Sequence, residues 1–498
     1  MSPAGPVRRT GREPAAGFFR TTVHVSAWRL LGLLLLGTGL AALDLRAGLG
    51  PHDEGLMLQW GRRIAGGEWP YRDFWCNYLP GQPLLQAVLG SSLVTWRVVR
   101  AVTGAAAAVL AYLLVRRETV NDRWALAAWA AVACAMAWPL TPGPNASAVA
   151  LAFGALLAAR RHGVRAGALA GLAFLFRPEV GVAAALGAAL LAPPGRRAPP
   201  PVAGAAVALA GLLPFLVVSP GDFLAQTFGF AAQQHLQRLP FPVVPHTGDP
   251  NKLLERMFPA ILVLATAGWA ASAPARRQGL ALLPLVVAGL AYLLARTDEF
   301  HLVPLAAVLA VALAAAAARE ERRPMQVALA AGLTLIVLHG LDRQYGKVSD
   351  GVEMVGIDLP TASGARTAPK DALALKELAA AVDRRSRPGD PLLSAPPRYD
   401  RVRVGDTLLY VLLDRRDPTR YDVVQPGVVT KASVQREMVR DLRRSGTRLV
   451  VRWVAPVALA TEANGSGHSS HVHILDRWIA AHFRRAGRFG DYVLLERR

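Results

Sequence analysis

Two adjacent carboxylates, Asp53 and Glu54, follow the first long apolar segment of the chain and stand between His52 and Gly55. Because the pair comes directly after a segment long enough to cross a bilayer, we expect it in a loop at the membrane surface. A carboxylate at that depth is placed to act as the general base of an enzyme whose substrate is anchored in lipid. Asp53 is therefore the candidate base, and Glu54 is expected to orient the acceptor or to support a divalent metal ion.

Two further groups of ionisable residues lie in turns between apolar segments: Arg177, Pro178 and Glu179 in the first turn, and Arg296, Asp298 and His301 in the second. Ionisable residues at the ends of membrane helices are functional by default. A guanidinium contacts phosphate oxygens bidentately, so Arg177 and Arg296 are candidate phosphate ligands. Either group alone could be a solvated turn. The predicted topology places both on the same side of the membrane as Asp53, which favours one common cleft.

The remaining candidates are polar or aromatic residues that could bind a substrate: His52, Tyr71, Arg72, Asp73, Asn145, Glu179, Asp298 and His301. An interfacial aromatic belt explains the aromatic residues of this loop at least as well. His301 and Asn145 could also be helix caps or packing residues. Two other patterns predict no site. His468, His471 and His473 fall in a Gly- and Ser-rich stretch, and Asn464 begins a short glycosylation sequon that means little alone.

The composition indicates an integral membrane protein. Of the 498 residues, 53% are hydrophobic and only 18% are charged, and the mean hydropathy is +0.29. Soluble chains carry about a quarter charged residues. The apolar residues also come in blocks that approach the ~17–25 residues of a membrane helix. A soluble domain of this size is thereby excluded.

The net charge of +21 does not indicate a nucleic-acid-binding protein, because the arginines cluster in short links between apolar blocks. The clusters are Arg8, Arg9 and Arg12; Arg160 and Arg161; Arg196 and Arg197; Arg276 and Arg277; and Arg319, Arg322 and Arg323. Short basic links are typical of cytoplasmic loops. The N-terminus is therefore expected in the cytoplasm of a multi-pass protein of the cell membrane.

The apolar blocks predict a mainly α-helical, polytopic membrane bundle with about eleven spans. The blocks cover 28–47, 98–115, 124–140, 145–159, 166–177, 179–192, 202–219, 257–273, 279–296, 302–318 and 325–341. A further apolar segment, 84–94, is short, and we expect a re-entrant or interfacial helix or a short span there. The number of spans depends on this segment.

Three parts follow from this organisation: a basic cytoplasmic tail at 1–27, a transmembrane catalytic part at 28–341 with its first external loop at 48–83, and a charged C-terminal part at 342–498. The C-terminal part alternates helical patterns (372–385, 430–445, 473–486) with strand patterns (391–394, 448–453, 492–496). Such alternation predicts a small α/β domain. Because it follows the last predicted span, the domain is expected outside the cytoplasm, against the outer membrane face.

The first external loop contains Asp53-Glu54-Gly55, then the run from Ala65 to Phe74, then Leu79-Pro80-Gly81. With these residues it resembles the first outer loop of GT-C glycosyltransferases, most closely the branch of protein O-mannosyltransferases and aminoarabinose transferases. The resemblance implies a GT-C-like fold for 28–341, a polyprenyl-phosphate sugar as donor and an acidic residue of this loop as base. It also implies a basic residue where Arg177 stands and a late external turn like that which begins at Arg296.

The predicted function is that of an integral membrane glycosyltransferase. It transfers a sugar, with inversion, from a polyprenyl-phosphate donor to an unidentified glycan, lipid or protein acceptor at the outer face. No cofactor is expected, apart from the divalent metal ion that Glu54 could support. Two alternatives remain, a transporter or flippase of a lipid-linked sugar and a glycan ligase. A transporter should carry its polar residues near the bilayer midplane, whereas these charges gather at one face.

Overall fold

The computed structural model describes residues 25–43, 45–119, 121–139, 143–233, 236–241, 253–272 and 277–498. Most of the predicted basic tail, residues 1–24, lies outside the described residues, as does Arg276. The described chain is mainly helical, and its strands lie in the C-terminal part.

The N-terminal two thirds of the chain form a bundle of apolar helices. Its helices are α1 (Ala27–Ala42), α2 (Asp53–Ala65), α3 (Gly81–Leu89), α4 (Leu93–Arg116), α5 (Asp122–Ala137), α6 (Asn145–Ala158), α7 (Gly163–Phe176), α8 (Pro178–Leu191), α9 (Pro199–Val218), α10 (Pro220–Leu224), α11 (Phe230–Ala232), α12 (Leu253–Ser272), α13 (Arg277–Ala295), α14 (Val303–Ala317) and α15 (Arg323–Val352). Each apolar block predicted from the sequence overlaps one of these helices. The core of the bundle is rich in alanine, and α14 is buried along almost its whole length.

In the part of the chain that the structure describes, four helical segments are long and apolar enough to cross a membrane, by length and composition: Leu93–Arg116, Pro194–Val218, Leu253–Ser272 and Arg323–Val352. Six shorter apolar helices of 10–17 residues accompany them within the described residues. These helices indicate a location in a membrane. The number of spans, expected to be about eleven, stays a prediction.

The segment predicted as the first external loop contains the helix α2, which the sequence did not predict, and the start of the helix α3. The helix α2 begins at Asp53, where the acidic residues of its first turn interact favourably with the helix dipole. The helix α3 has 9 residues and packs against α2. At 1.5 Å per residue it is too short to cross a ~30 Å hydrocarbon core, which excludes the short span considered for 84–94.

The helices α7 and α8 form the hairpin that the sequence predicts. Arg177 separates them with an extended backbone (φ −145°, ψ 105°), which is the conformation that a following proline favours. The two helices approach closely at Gly181, where an added Cβ would lie 2.3 Å from the backbone nitrogen of Phe174. Arg177 is therefore held at the tip of a tightly packed hairpin.

The C-terminal part contains helices α16 (Pro369–Asp383), α17 (Leu408–Leu412), α18 (Ala432–Arg444), α19 (Pro456–Leu459) and α20 (Ile474–His482), and strands β1 (Val355–Gly356), β2 (Arg366–Thr367), β3 (Leu392–Ala395), β4 (Leu449–Trp453), β5 (Phe483–Phe489) and β6 (Tyr492–Arg497). Strands β1 and β2 form a small antiparallel pair. The main sheet has the order β3-β4-β6-β5, with β3 and β4 parallel and the other pairs antiparallel.

The helices and strands predicted for this part agree with the observed ones within a few residues, except that the last helix was predicted too long. The sequence predicted a helix over 473–486, whereas α20 ends at His482 and residues from Phe483 form β5. Residues from Phe483 form a strand because they pair with β6 in a hairpin. The periodicity of one segment does not reveal such pairing with a neighbouring strand. The helix α15 continues to Val352, past the end of the apolar block at 341.

The C-terminal part packs directly on α2. Gly55 of α2 lies so close to α17 that an added Cβ would stand 2.2 Å from the backbone nitrogen of Leu408. The same backbone nitrogen donates to the carbonyl oxygen of Pro51 at 3.0 Å. Further along α2, Arg63 forms a buried ion pair with Asp422 at 3.0 Å. The helix that begins with Asp53 is therefore fixed by the C-terminal part.

Candidate active site

A cavity of about 770 Å³ lies at one end of the helix bundle. The start of α2, the α7–α8 hairpin and the turn after α13 form its wall together with loops of the C-terminal part. Eight of the residues selected from the sequence line it: His52, Asp53, Asn145, Arg177, Glu179, Arg296, Asp298 and His301. The structure thus brings together all three ionisable groups. It does not bring Glu54, Tyr71, Arg72 or Asp73 into this lining.

Asp53 is the first residue of α2, and its side chain is 42% exposed, next to His52. The Nε2 atom of His52 lies 4.0 Å from the Asp53 carboxylate and 2.9 Å from Nε2 of Gln425. Burial lowers the pKa of His52. Burial thus favours the neutral ring, and a neutral ring can accept the amide hydrogen of Gln425 at Nε2.

Asp53 differs from the other carboxylates of the cavity in its partners. Glu179 pairs with Arg177, while Asp298 and Glu462 both pair with Arg296. Within the described residues, Asp53 has no Lys or Arg at salt-bridge distance. Its carboxylate is thereby left accessible to a hydroxyl group in the cavity.

Glu54 has a different environment from its neighbour. Its side chain is fully buried and accepts two hydrogen bonds from Arg97 of α4, both 2.8 Å long. The backbone nitrogen of Gly50 donates to the same carboxylate at 3.1 Å. Arg97 also donates to the carbonyl oxygens of Leu45, Ala47 and Gly48. The pair joins α2, α4 and the loop before α2, so Glu54 is placed to hold the fold rather than a substrate or a metal.

Arg177 presents a buried guanidinium at the tip of the α7–α8 hairpin. Its Nε atom lies 2.9 Å from Glu179, and its guanidinium carbon lies 4.0 Å from the centre of the Tyr292 ring. His301 packs on the same tyrosine ring, with a centroid distance of 4.2 Å. Asn145, the first residue of α6, lies beside Tyr292 as well. These side chains form one polar and aromatic wall of the cavity.

Arg296 follows α13 and is surrounded by carboxylates. It donates through Nε to Asp298 at 2.6 Å and through Nη2 to both oxygens of Glu462 at 2.9 Å. Glu462 also accepts from Arg403 at 3.0 Å. Although burial raises the pKa of Glu462, the Arg296 guanidinium holds that pKa below its ordinary value. Arg296 therefore links the bundle to the C-terminal part through an ionised carboxylate.

The three loop residues outside the cavity have other partners. Tyr71 is buried, donates its hydroxyl to the carbonyl oxygen of Tyr78 at 2.8 Å, and packs edge-on against Phe223. Its backbone has a φ of 69°, an uncommon conformation for a non-glycine residue. Arg72 pairs with Asp73, and Asp73 accepts from the backbone nitrogen of Trp69 at 2.7 Å. These contacts shape the loop.

Several residues of the C-terminal part line the cavity but were not predicted as site residues from the sequence: Arg403, Gln425, Trp453, Glu462 and Asn464. Asn464 was set aside as a sequon, but it is buried and donates to Glu462 at 2.7 Å. No local pattern marks these residues, because they reach the cavity only through the docking of the C-terminal part on α2. Tyr78 and Tyr292, also in the lining, resemble ordinary interfacial aromatics in sequence.

One group in the described residues has the types and spacing of a metal site: Asp400, His473 and Asp476. None of the three lines the cavity. The two carboxylates already accept from arginines, Asp400 from Arg398 at 2.5 Å and Asp476 from Arg452 at 2.8 Å. Because both carboxylates pair with arginines and the group lies outside the cavity, it does not supply the divalent ion considered for Glu54.

Comparison with known proteins shows the fold. No protein-family model and no curated protein matches the chain. The structure is similar to that of ArnT from Cupriavidus metallidurans bound to undecaprenyl phosphate, with 15% identity, a TM-score of 0.54, and coverage of 94% of this chain and 97% of ArnT. The chain therefore shares the fold of ArnT, in agreement with the expectation from the sequence resemblance.

Two electron-microscopy structures of the arabinofuranosyltransferase AftD from Mycobacteria are also similar. The first has 12% identity and a TM-score of 0.45, and the second, a substituted form, has 16% and 0.43. Each match covers 95% of this chain but only 40% and 42% of AftD. This chain thus spans less than half the length of AftD.

Proposed function

We propose that the chain is an integral membrane glycosyltransferase that takes its sugar from a polyprenyl-phosphate donor. The observation that carries the proposal is the single cavity in which Asp53 faces the same space as Arg177 and Arg296, at one end of a bundle of apolar helices. The fold adds support, since ArnT has a similar fold and was solved with undecaprenyl phosphate. A lipid-anchored donor needs charged residues for its phosphate next to apolar helices for its chain.

Asp53 is proposed as the general base. One of its oxygens takes the proton of the acceptor hydroxyl, and the hydroxyl oxygen then forms a bond to the anomeric carbon of the sugar. The bond between that carbon and the phosphate oxygen breaks, its electrons remain on the phosphate, and polyprenyl phosphate leaves. A single displacement of this kind inverts the anomeric centre. The partial exposure of Asp53 and its lack of an arginine partner among the described residues support the assignment.

Arg177 is proposed to bind the donor phosphate and to stabilise the charge that develops on it. Its guanidinium is buried between Glu179 and the Tyr292 ring, where a charge-assisted hydrogen bond is stronger than in water. Arg296 is proposed as a second phosphate ligand. Because its donors already contact Asp298 and Glu462, a phosphate must replace one of these carboxylates to reach it.

Asn145, Glu179, Asp298, His301 and His52 are proposed to contact the sugar or the acceptor, since all five line the cavity. Among them, Asn145 offers a direct argument. Its Oδ1 atom is buried and has no hydrogen-bond partner within the described residues. A buried acceptor without a donor destabilises the structure by about 1–3 kcal/mol, so a sugar hydroxyl that donates to Asn145 would bind favourably.

The cavity is proposed to lie at the outer face of the membrane. The basic links at 160–161 and 319–323 lie at the opposite end of the bundle, and such links are typical of the cytoplasmic side. A cysteine at Arg444, which is exposed in the C-terminal part, should react with a membrane-impermeant maleimide in intact cells. A cysteine at exposed Arg165, beside the basic links, should react only after permeabilisation. The reverse pattern would contradict the proposed orientation.

The proposed activity is tested with purified protein and a panel of polyprenyl-phosphate sugars, by measuring the release of polyprenyl phosphate. We expect release with at least one donor once an acceptor extract is added, and loss of release in Asp53→Asn. Arg165→Gln, a charge change far from the cavity, is the matched control and should keep full activity. No release with any donor, or equal release with Asp53→Asn, would contradict the proposal.

A further inference from the structure

A second cavity, of about 430 Å³, lies at the opposite end of the helix bundle. Both cavities lie along α4, the first at Arg100 and the second at Arg117, the residue that caps the end of the helix. At 1.5 Å per residue these positions are about 25 Å apart along the helix. Both cavities also touch α6, the first at Asn145 and the second at Leu156, which lie roughly 16 Å apart along the helix. The second cavity is therefore separate from the candidate active site.

The inner wall of the second cavity is apolar, and its rim is charged. The apolar residues are Leu114, Leu156, Leu191, Trp269, Leu282, Val311 and Ala312. The rim carries Arg117, Arg160, Arg319 and Arg322 together with three glutamates. This division matches an amphiphile with one anionic end, because hydrocarbon fits the inner wall and a negative headgroup fits the arginines. The volume falls within the ~300–1,000 Å³ of ordinary small-molecule sites.

Arg117 is the rim residue whose charge is least compensated. Its side chain donates to the backbone carbonyl oxygen of Leu157. In the described part of the chain it has no carboxylate at salt-bridge distance. Burial and the nearby Arg160 and Arg161 together lower its pKa. An exposed guanidinium beside further cations and without a carboxylate partner attracts an anion.

The glutamates of the rim do not neutralise the positive charge of Arg117. Glu118 contacts Arg160 at 3.4 Å and also contacts Arg319, so the two arginines share it. Glu320 pairs with Arg322 at 2.9 Å. The third glutamate, Glu321, is exposed to solvent. An anion that enters the cavity beside Arg117 therefore meets a guanidinium that forms no ion pair with these glutamates.

We propose that the second cavity binds an anionic phospholipid, with its phosphate against Arg117 and Arg160 and an acyl chain along the apolar wall. Basic pockets between membrane helices are known to select such headgroups. A phospholipid satisfies both the rim and the wall, whereas a soluble phosphate would leave the wall exposed. This inference is independent of the proposed glycosyltransferase activity, and its test needs no sugar donor.

Trp269, which is buried in the wall of the cavity, supplies the signal for the test. The protein is reconstituted in phosphatidylcholine vesicles that contain increasing fractions of brominated phosphatidylglycerol or brominated phosphatidylcholine. The Trp269 contribution is the difference in quenched emission between the protein and its Trp269→Phe variant. We expect phosphatidylglycerol to quench Trp269 at a several-fold lower mole fraction than phosphatidylcholine, since each arginine near the phosphate contributes about fivefold in affinity.

Arg117→Gln should raise the half-quenching fraction of phosphatidylglycerol about fivefold. Its phosphatidylcholine curve should match that of the unaltered protein, which verifies that the cavity persists. Arg165→Gln is the control, because Arg165 is exposed at the same end of the bundle but does not line the cavity. It should leave both curves unchanged.

Four results would overturn the proposal. Equal quenching by the two lipids would show that the site does not select an anion. No Trp269-dependent quenching would show that no lipid chain reaches the wall. An equal loss of selectivity in Arg117→Gln and Arg165→Gln would assign the effect to general surface charge. Relief of quenching by millimolar glycerol 3-phosphate would show that the site prefers a soluble phosphate.

Discussion

Glu54→Gln should destabilise the fold, although Glu54 is adjacent to the proposed base. The substitution removes the negative charge from a fully buried carboxylate that holds Arg97 through two hydrogen bonds of 2.8 Å. Removal of one partner of a buried ion pair costs about 3–5 kcal/mol, because the remaining charge stays buried without compensation. Arg97 keeps its three backbone carbonyl partners, which places the expected loss at the lower end, about 3 kcal/mol.

Thermal unfolding in detergent measures this loss through the two cysteines. Cys76 and Cys134 are both buried, so a thiol-reactive dye labels them only when the protein opens. Asp53→Asn is the matched control, since Asp53 is partly exposed and pairs with no arginine in the described chain. We expect the Glu54 variant to unfold at a clearly lower temperature and the Asp53 variant to unfold like the unaltered protein.

A double variant separates the charge effect from other consequences of the change. When Arg97→Gln is added to Glu54→Gln, both charges disappear from the interior. The double variant should therefore lose less stability than the sum of the losses in the two single variants. The reasoning is refuted if Glu54→Gln unfolds at the normal temperature. It is also refuted if that variant is fully stable but inactive, because Glu54 would then act in the chemistry.

Asp53→Asn should lower turnover by about 10²–10⁴-fold while donor binding remains, because it removes the base and keeps the shape; near-normal transfer by a folded variant would redirect the search to Asp298. Arg177→Gln should raise the KM for the donor more than it lowers kcat, since it removes a phosphate contact that also exists in the ground state; an unchanged KM would contradict the phosphate assignment. Burial raises the pKa of Asp406 to about 7, with Tyr492 as its hydrogen-bond donor. A raised carboxyl pKa means that the folded state holds a proton that the unfolded state has released, so stability should fall as pH rises from about 4 to about 7. Asp406→Asn should flatten this part of the unfolding profile, and an unaltered pH dependence would contradict the assignment.

The sequence predicted the bundle and the convergence of the three ionisable groups because both depend on local patterns. Apolar runs mark helices, and a turn between two such helices must lie at one end of the bundle. Arg177 was the most informative case. The proline after it predicts a break, and the break places its side chain at the tip of a hairpin that lines the cavity.

The distinction between Asp53 and Glu54 could not be predicted, since it depends on the helix α2 within a segment that appeared to be a loop. Successive residues of an α-helix point about 100° apart, so one carboxylate faces the cavity and the next faces Arg97. Glu462 and Gln425 were missed for another reason. They reach the cavity through contacts between parts of the chain hundreds of residues apart, which a single sequence does not encode in any local pattern.

The contact at Gly55 has a consequence for how this chain can be altered. The backbone of α17 occupies the space that a side chain at position 55 would need, so even alanine there would push the two helices apart. A chimaera that exchanges only the C-terminal part with that of another protein would therefore have to reproduce the path of α17 against α2. The two helices form one unit of exchange, and a successful graft must carry both.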